Sequence, residues 1–122
     1  MARDTLAPQK LLGSYPALPI TALAADVVWT PLVVADGFQA TLSDGKSILL
    51  VKNTNSGSTA HTVTITSSAD QLNRTGDITA YCVAAGAVSA FGPFNLAGWQ
   101  HSGNLWIDGN HAELSMAVIQ IP

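Results

Sequence analysis

HTVTIT, residues 61–66, is the stretch that decides the fold. Its apolar members, Val63 and Ile65, alternate with threonines, so apolar side chains fall on one face of an extended chain and polar ones on the other. A strand with one wet face is typical of an antiparallel sheet that packs its other face on a core. The stretch therefore predicts a half-buried strand near the middle of the chain.

The same period of two recurs on both sides of this stretch. Residues 38–42 alternate in the same way, whereas residues 48–51 and 113–121 are apolar on both faces and so need cover on both. The remaining candidate strands are residues 27–30, 78–83, 87–91 and 104–107. Turn pairs such as Asp36-Gly37 separate the strands, because glycine supplies the positive φ that tight turns require.

These features predict an all-β chain with one antiparallel β-sandwich, jelly-roll-like, at residues 26–122 and an extended N-terminal arm at residues 1–25. A chain of 122 residues is short enough for one domain. An immunoglobulin-like sandwich is the alternative, but a chain with one cysteine, Cys82, lacks the Cys-Trp-Cys framework. We expect Cys82, inside an apolar run, to be a small buried hydrophobic residue.

The arm differs from the rest of the chain because prolines interrupt it and it has no stable period. Residues 22–24 imitate a signal-peptidase site, but Asp4 and the prolines do not fit a secretion signal. Fully extended, its 25 residues span up to about 80 Å, well beyond the domain's radius of gyration of about 14 Å. Its apolar side chains are expected to dock on a neighbouring subunit, or alternatively on the domain's own flank. They include Leu11, Leu12, Tyr15, Leu18 and Ile20.

The composition excludes some partners. Charged residues make up 11% of the chain, and five basic residues with a net charge of −3 leave no cationic stripe for phosphates. We therefore expect no nucleic-acid partner. The chain also has no uninterrupted run of about 18 apolar residues, so we expect no membrane span.

No motif for catalysis or for a cofactor stands out. The three histidines, His61, His101 and His111, form no metal-ligand spacing, although Asp108 lies near two of them in sequence. The chain lacks G-x-S-x-G, and Glu113 is its one glutamate, which leaves no carboxylate pair of the glycosidase type. We therefore expect no enzyme, no bound metal and no cofactor.

Trp99 and Trp106 are the remaining candidates for recognition. Large aromatic side chains can anchor an interface or stack on a sugar. The runs FGPF (91–94) and LAGW (96–99) nevertheless resemble apolar plugs at one end of a sandwich. We therefore expect these aromatic side chains to pack in the core or at the edge of the sandwich. Contact with another subunit and stacking on a ligand are the alternatives.

Several segments together resemble a known family. They are HTVTITS (61–67), NRTGDITAY (73–81), FGPF (91–94), GWQ (98–100), the LWI strand (105–107) and the closing AVIQIP (117–122). In size and pattern, these segments of residues 45–122 resemble small virion proteins encoded among the head genes of tailed bacteriophages and prophages, the capsid decoration or cement proteins. The arm lies outside this resemblance.

The resemblance implies a jelly-roll-like domain on the outside of an icosahedral head. Such a protein is made in the bacterial cytoplasm, binds the major capsid protein, commonly as a homotrimer that bridges capsid subunits, and stabilises the shell of the virion. The apolar arm residues are then the main partner contacts. The alternatives are a carbohydrate- or receptor-binding module of a phage tail or fibre, which uses Trp99, Trp106 and His101, and a head–tail joining component.

Overall fold

The structure is a computed structural model that describes residues 3–10, 27–69, 72 and 76–121. In this described part the chain forms strands and no helix, so the all-β prediction is confirmed. The strands are β1 (Asp4–Thr5), β2 (Pro8–Lys10), β3 (Thr30–Pro31), β4 (Phe38–Thr41), β5 (Ser47–Asn53), β6 (His61–Thr66), β7 (Ile78–Val83), β8 (Val88–Phe94), β9 (Asn104–Gly109) and β10 (Leu114–Gln120). A helix of membrane-spanning length and apolarity does not occur among these residues.

The strands form two sheets. One, called the β6 sheet, has the order β1-β4-β9-β6-β7, and the other, called the β5 sheet, has the order β2-β10-β5-β8, with β3 also paired to β10. All strand pairs that the structure describes within residues 26–122, the predicted sandwich, are antiparallel, as expected. The two parallel pairs, β1 with β4 and β2 with β10, involve strands of residues 3–10, which were predicted to belong to the arm. Parallel pairing arises here because these short N-terminal strands meet partners far along the chain, with no hairpin between them.

The two sheets pack over one apolar core. Burial alternates along β5 and β6, as the period of two requires. β5 and β10, which were predicted to need cover on both faces, pair with each other in the middle of the β5 sheet. Ser115 and Ala117 are buried although they alternate with the core residues of β10. The largest fully buried apolar side chains are Phe38, Leu49, Val51, Val63, Ile65, Val83, Leu105, Ile107, Leu114, Met116 and Val118.

Residues 3–10 lie on the domain itself. β1 extends the β6 sheet beside β4 and β2 extends the β5 sheet beside β10, so the chain crosses between the sheets at Leu6. Leu6 is buried in the core, and its amide donates a hydrogen bond to the Gln39 carbonyl at 2.8 Å. This part of the arm therefore docks on its own domain, the alternative to docking on a neighbour. The predicted arm contacts lie outside the described residues; they are Leu11, Leu12, Tyr15, Leu18 and Ile20.

Leu6→Ala should lower the free energy of unfolding by about 2–5 kcal/mol, because it removes a buried side chain and leaves a cavity. The matched control is Thr5→Ala, since Thr5 is exposed and its backbone pairing with β4 does not need its side chain. Urea unfolding of both variants measures the effect. Equal stability of Leu6→Ala and the native chain would mean that residues 3–10 do not pack on the sandwich.

A carboxylate holds the connection between β6 and β7. The Asp77 Oδ1 atom accepts hydrogen bonds from the amide and the hydroxyl of Ser67, both at 2.8 Å. Both hydrogen bonds stabilise the ionised carboxylate, and the one from the hydroxyl contributes more than the one from the amide. The pKa of Asp77 therefore lies below its ordinary value. The start of β7 is thereby fixed to the end of β6.

We expect the stabilisation from Asp77 to depend on pH. Because its folded-state pKa is lowered, its contribution is complete above the unfolded-state pKa of about 4 and is lost as pH falls through the folded-state pKa. The difference in melting temperature between the native chain and Asp77→Asn should be largest near neutral pH and shrink in acid. A difference that stays constant down to about pH 3 contradicts this role of the carboxylate.

Candidate functional site

A tryptophan stack lies on the outer face of the β6 sheet. Trp106 lies between two buried residues of β9, so its ring points away from the core. The His101 ring stacks on it with centroids 3.9 Å apart and planes 10° apart, and the Arg3 guanidinium carbon lies 4.8 Å from the ring centroid. His101 approaches from the Asn104 side of Trp106 along β9. Arg3 approaches from the Asp108 side, so both groups lie against the one indole ring.

Arg3 is held by more than this stack. Its guanidinium donates two hydrogen bonds to the Asp108 carboxylate, at 2.9 and 3.0 Å, and one to each carbonyl of Phe38 and Ile107, at 3.3 Å. Gly37 leaves the necessary room, because a Cβ at this position would collide with the Asp108 carboxylate and the Arg3 guanidinium. The φ of Gly37, +68°, also favours glycine. The stack therefore ties the beginning of the described chain to β9.

The two tryptophans predicted as interface or ligand aromatics make contacts within the chain. Trp99 meets Phe94 edge to face, with ring centroids 5.1 Å apart, and packs against the core. Trp106 is stacked on by His101 and approached by the Arg3 guanidinium, so its ring already has two partners within the chain. Only Trp99 is packed against the core, and whether either tryptophan also contacts a subunit or a ligand stays a prediction.

The histidines divide between two places in the fold. His101 belongs to the tryptophan stack, and Asp108 is attached to the same stack through its ion pair with Arg3. His111 instead stacks on His61, with ring centroids 4.2 Å apart and planes 8° apart. The structure therefore does not bring together His101, Asp108 and His111, the three that are near one another in sequence.

A second group, called the histidine cluster, consists of His61, His111, Glu113 and Asn55. The Glu113 Oε1 atom accepts hydrogen bonds from Asn55 Nδ2 at 2.9 Å and from His61 Nε2 at 2.8 Å. Both hydrogen bonds stabilise the ionised carboxylate, and the one from Asn55 contributes more than the one from His61. The pKa of Glu113 therefore lies below its ordinary value. The His61 side chain is buried and that of His111 is half exposed, so the cluster reaches from the protein interior to solvent.

The turn between β9 and β10 positions this cluster. The Asn110 side-chain oxygen accepts a hydrogen bond from the Thr62 amide at 2.9 Å, and the Asn110 amide donates to the Thr62 carbonyl at 3.1 Å. These two bonds hold the turn against the beginning of β6. The cluster could not be recognised as a sequence motif, because His61 and Glu113 are 52 positions apart in the chain.

The sandwich also has an open edge, which carries no formal charge. The exposed residues of β7 and β8 that form it are Thr79, Ala80, Tyr81, Cys82, Val88, Ala90, Gly92 and Pro93. β7 and β8 end their sheets, so no other strand in the described part of the chain pairs with their outer sides. Tyr81 meets Phe91 edge to face at 5.2 Å, so both strands lie on one side of the molecule. Residues 78–107, which include both strands, contain no Asp, Glu, Lys or Arg, a property that can be read from the sequence.

The prediction of a buried Cys82 is wrong, because the residue is exposed. Cys82 lies opposite Thr62 in the pairing of β7 with β6, whereas the neighbouring Val83 is buried in the core. The period of two therefore places Cys82 on the outer face of an edge strand. An apolar run predicts a strand but not its place in the sheet.

Comparisons of the chain with family models, with curated proteins and with solved structures find no match. The candidate sites therefore rest on the geometry of the described residues. They are the tryptophan stack, the histidine cluster and the open edge. The open edge and the histidine cluster both expose groups that a second molecule or ion can reach.

Proposed function

We propose that the protein is a structural virion protein, a decoration protein that binds the outside of a tailed-bacteriophage capsid and stabilises it. In this proposal it assembles with its own copies as a trimer and contacts the major capsid protein. The open edge is the observation that supports assembly. The sequence resemblance to decoration proteins supplies the capsid as the partner.

The strand order is consistent with the jelly roll that this role implies. From β3 to β10 the chain builds two sets of four strands, β3-β10-β5-β8 and β4-β9-β6-β7. It changes sheet at every step except from β6 to β7. Eight strands interleaved between two sheets are the pattern of a jelly roll, which occurs in viral capsid proteins and in lectins. Fold alone does not give the role, so the proposal depends on the surface of the sandwich.

The open edge favours contact with other copies of the chain. Proteins usually protect an exposed sheet edge with charge, proline or a bulge. This edge has no charged residue. It does have a bulge, because the pairing of β7 with β6 shifts register after Val63 of β6, and Ala80 of β7 has a φ of +50° there. β8 also contains Pro93. The bulge and the proline oppose continuous strand addition. The edge therefore suits a closed contact made by side chains such as Tyr81 and Val88, which are 47% and 53% exposed.

Replacing Tyr81 and Val88 together by lysine should convert the trimer into a monomer. Assembly then has to desolvate two unpaired charges, whereas the native edge buries apolar surface. Light scattering measures the native mass of both proteins. The control replaces Val34 and Ala35 by lysine, because both are exposed in the segment before β4, at the other end of the β6 sheet from β7. A monomeric native chain, or an edge variant that keeps the native mass, contradicts the proposal.

Serine at Leu11, Leu12 and Leu18 should release the protein from capsids and leave the sandwich folded. Deleting the whole arm is a poorer test, because residues 3–10 contribute β1, β2 and a buried leucine. The native chain should sediment with decoration-free heads of the phage that encodes it. The triple variant should remain in the supernatant with an unchanged melting temperature.

Two outcomes count against capsid binding through the arm. One is sedimentation of the triple variant with the heads, and the other is a native chain that does not sediment with them. A variant that loses its cooperative melting transition would instead place these leucines in the fold of the domain. Thr5→Ala, in the same arm but on β1, serves as the control that should bind heads like the native chain.

A further inference from the structure

We propose that His61, His111 and Glu113 bind a divalent transition-metal ion of the zinc type. Two imidazoles and one carboxylate are a ligand set of zinc proteins, in which three protein ligands leave a fourth position for water. Imidazole also suits copper and nickel. The donor atoms therefore indicate a class of divalent transition-metal ions and do not select one element. The inference uses no residue of the open edge and does not depend on the proposed function.

The three donor atoms already lie close together. The His61 Nε2, the His111 Nδ1 and the Glu113 Oε1 are within 4.8 Å of one another. The carboxylate oxygen is 2.8 Å from the first nitrogen and 3.5 Å from the second. Ligand atoms about 2.1 Å from a tetrahedral ion are about 3.4 Å apart, so shifts of roughly 1 Å gather all three around one ion.

The surroundings hold two of the three ligands in place. Asn55 donates a hydrogen bond to the Glu113 carboxylate at 2.9 Å, which is the kind of outer contact that orients a metal ligand. His61 begins β6, and the Asn110 turn fixes the segment that carries Glu113 to this same strand. Three segments of the chain therefore converge on one point at the end of the sandwich.

Binding requires the His111 ring to leave its stack. Parallel rings direct their in-plane lone pairs side by side and not at a common point, and the His111 Nδ1 accepts a hydrogen bond from the Glu113 amide at 3.0 Å. The His111 side chain is 50% exposed, so the ring can turn without moving the core. The ion also replaces the proton that His61 donates to Glu113. These costs predict weaker binding than at a preformed structural zinc site.

Titration of the full chain with zinc chloride tests this site. Calorimetry gives the affinity, and visible absorption of the cobalt(II) form reports tetrahedral coordination. One ion should bind per chain, and His111→Ala and Glu113→Gln should each weaken binding by at least about tenfold. Two controls should bind like the native chain: His101→Ala removes the histidine of the tryptophan stack, and Cys82→Ser removes an exposed thiol that can itself bind zinc.

Two results would overturn the proposal. The first is the absence of heat and of a cobalt spectrum at a large excess of metal. The second is binding that survives both cluster substitutions, or that is lost in His101→Ala or Cys82→Ser. Zinc should raise the melting temperature of the native chain but not of His111→Ala, whose half-exposed position allows it to fold. Loss of binding in a folded His111→Ala therefore separates metal ligation from a structural defect.

Discussion

Burial of apolar side chains between two sheets of short strands is the constraint on which the rest of this molecule depends. The central strands β5 and β10 of one sheet and β6 and β9 of the other contribute most of the fully buried residues. Because side chains alternate along a strand, each core residue fixes the outward direction of its neighbours. Trp106 is presented to Arg3 and His101 for this reason, since it lies between two core residues of β9.

The two sides of the sandwich differ, because only one is covered by the described chain. On one side the beginning of the chain lies on both sheets, with β1 beside β4, β2 beside β10 and Leu6 in the core between them. Arg3 and Asp108 fasten this closure. On the other side β7 and β8 end their sheets, with Tyr81 and Phe91 in contact. A surface for assembly is therefore expected where the described chain supplies no cover of its own.

The strands from β4 to β10 could be predicted from the sequence because each has a period of two, or an apolar run between turn residues. β1 and β2 could not be predicted, since strands of two and three residues are too short to repeat the alternation of apolar and polar side chains, and Pro8 indicates a break. The sites divide in the same way. The absence of charge in residues 78–107 is a property of the sequence, whereas the histidine cluster exists only after β6 pairs with β9.

Backbone hydrogen exchange of residues 78–94 at high and low protein concentration tests the central claim most directly, because these residues include both strands of the open edge. If copies of the chain cover this edge, the amides of β7 and β8 exchange slowly in the concentrated sample and faster after dilution into monomers. Amides of β4, on the opposite side of the β6 sheet, exchange equally in both samples. Exchange in β7 and β8 that does not depend on concentration contradicts the account.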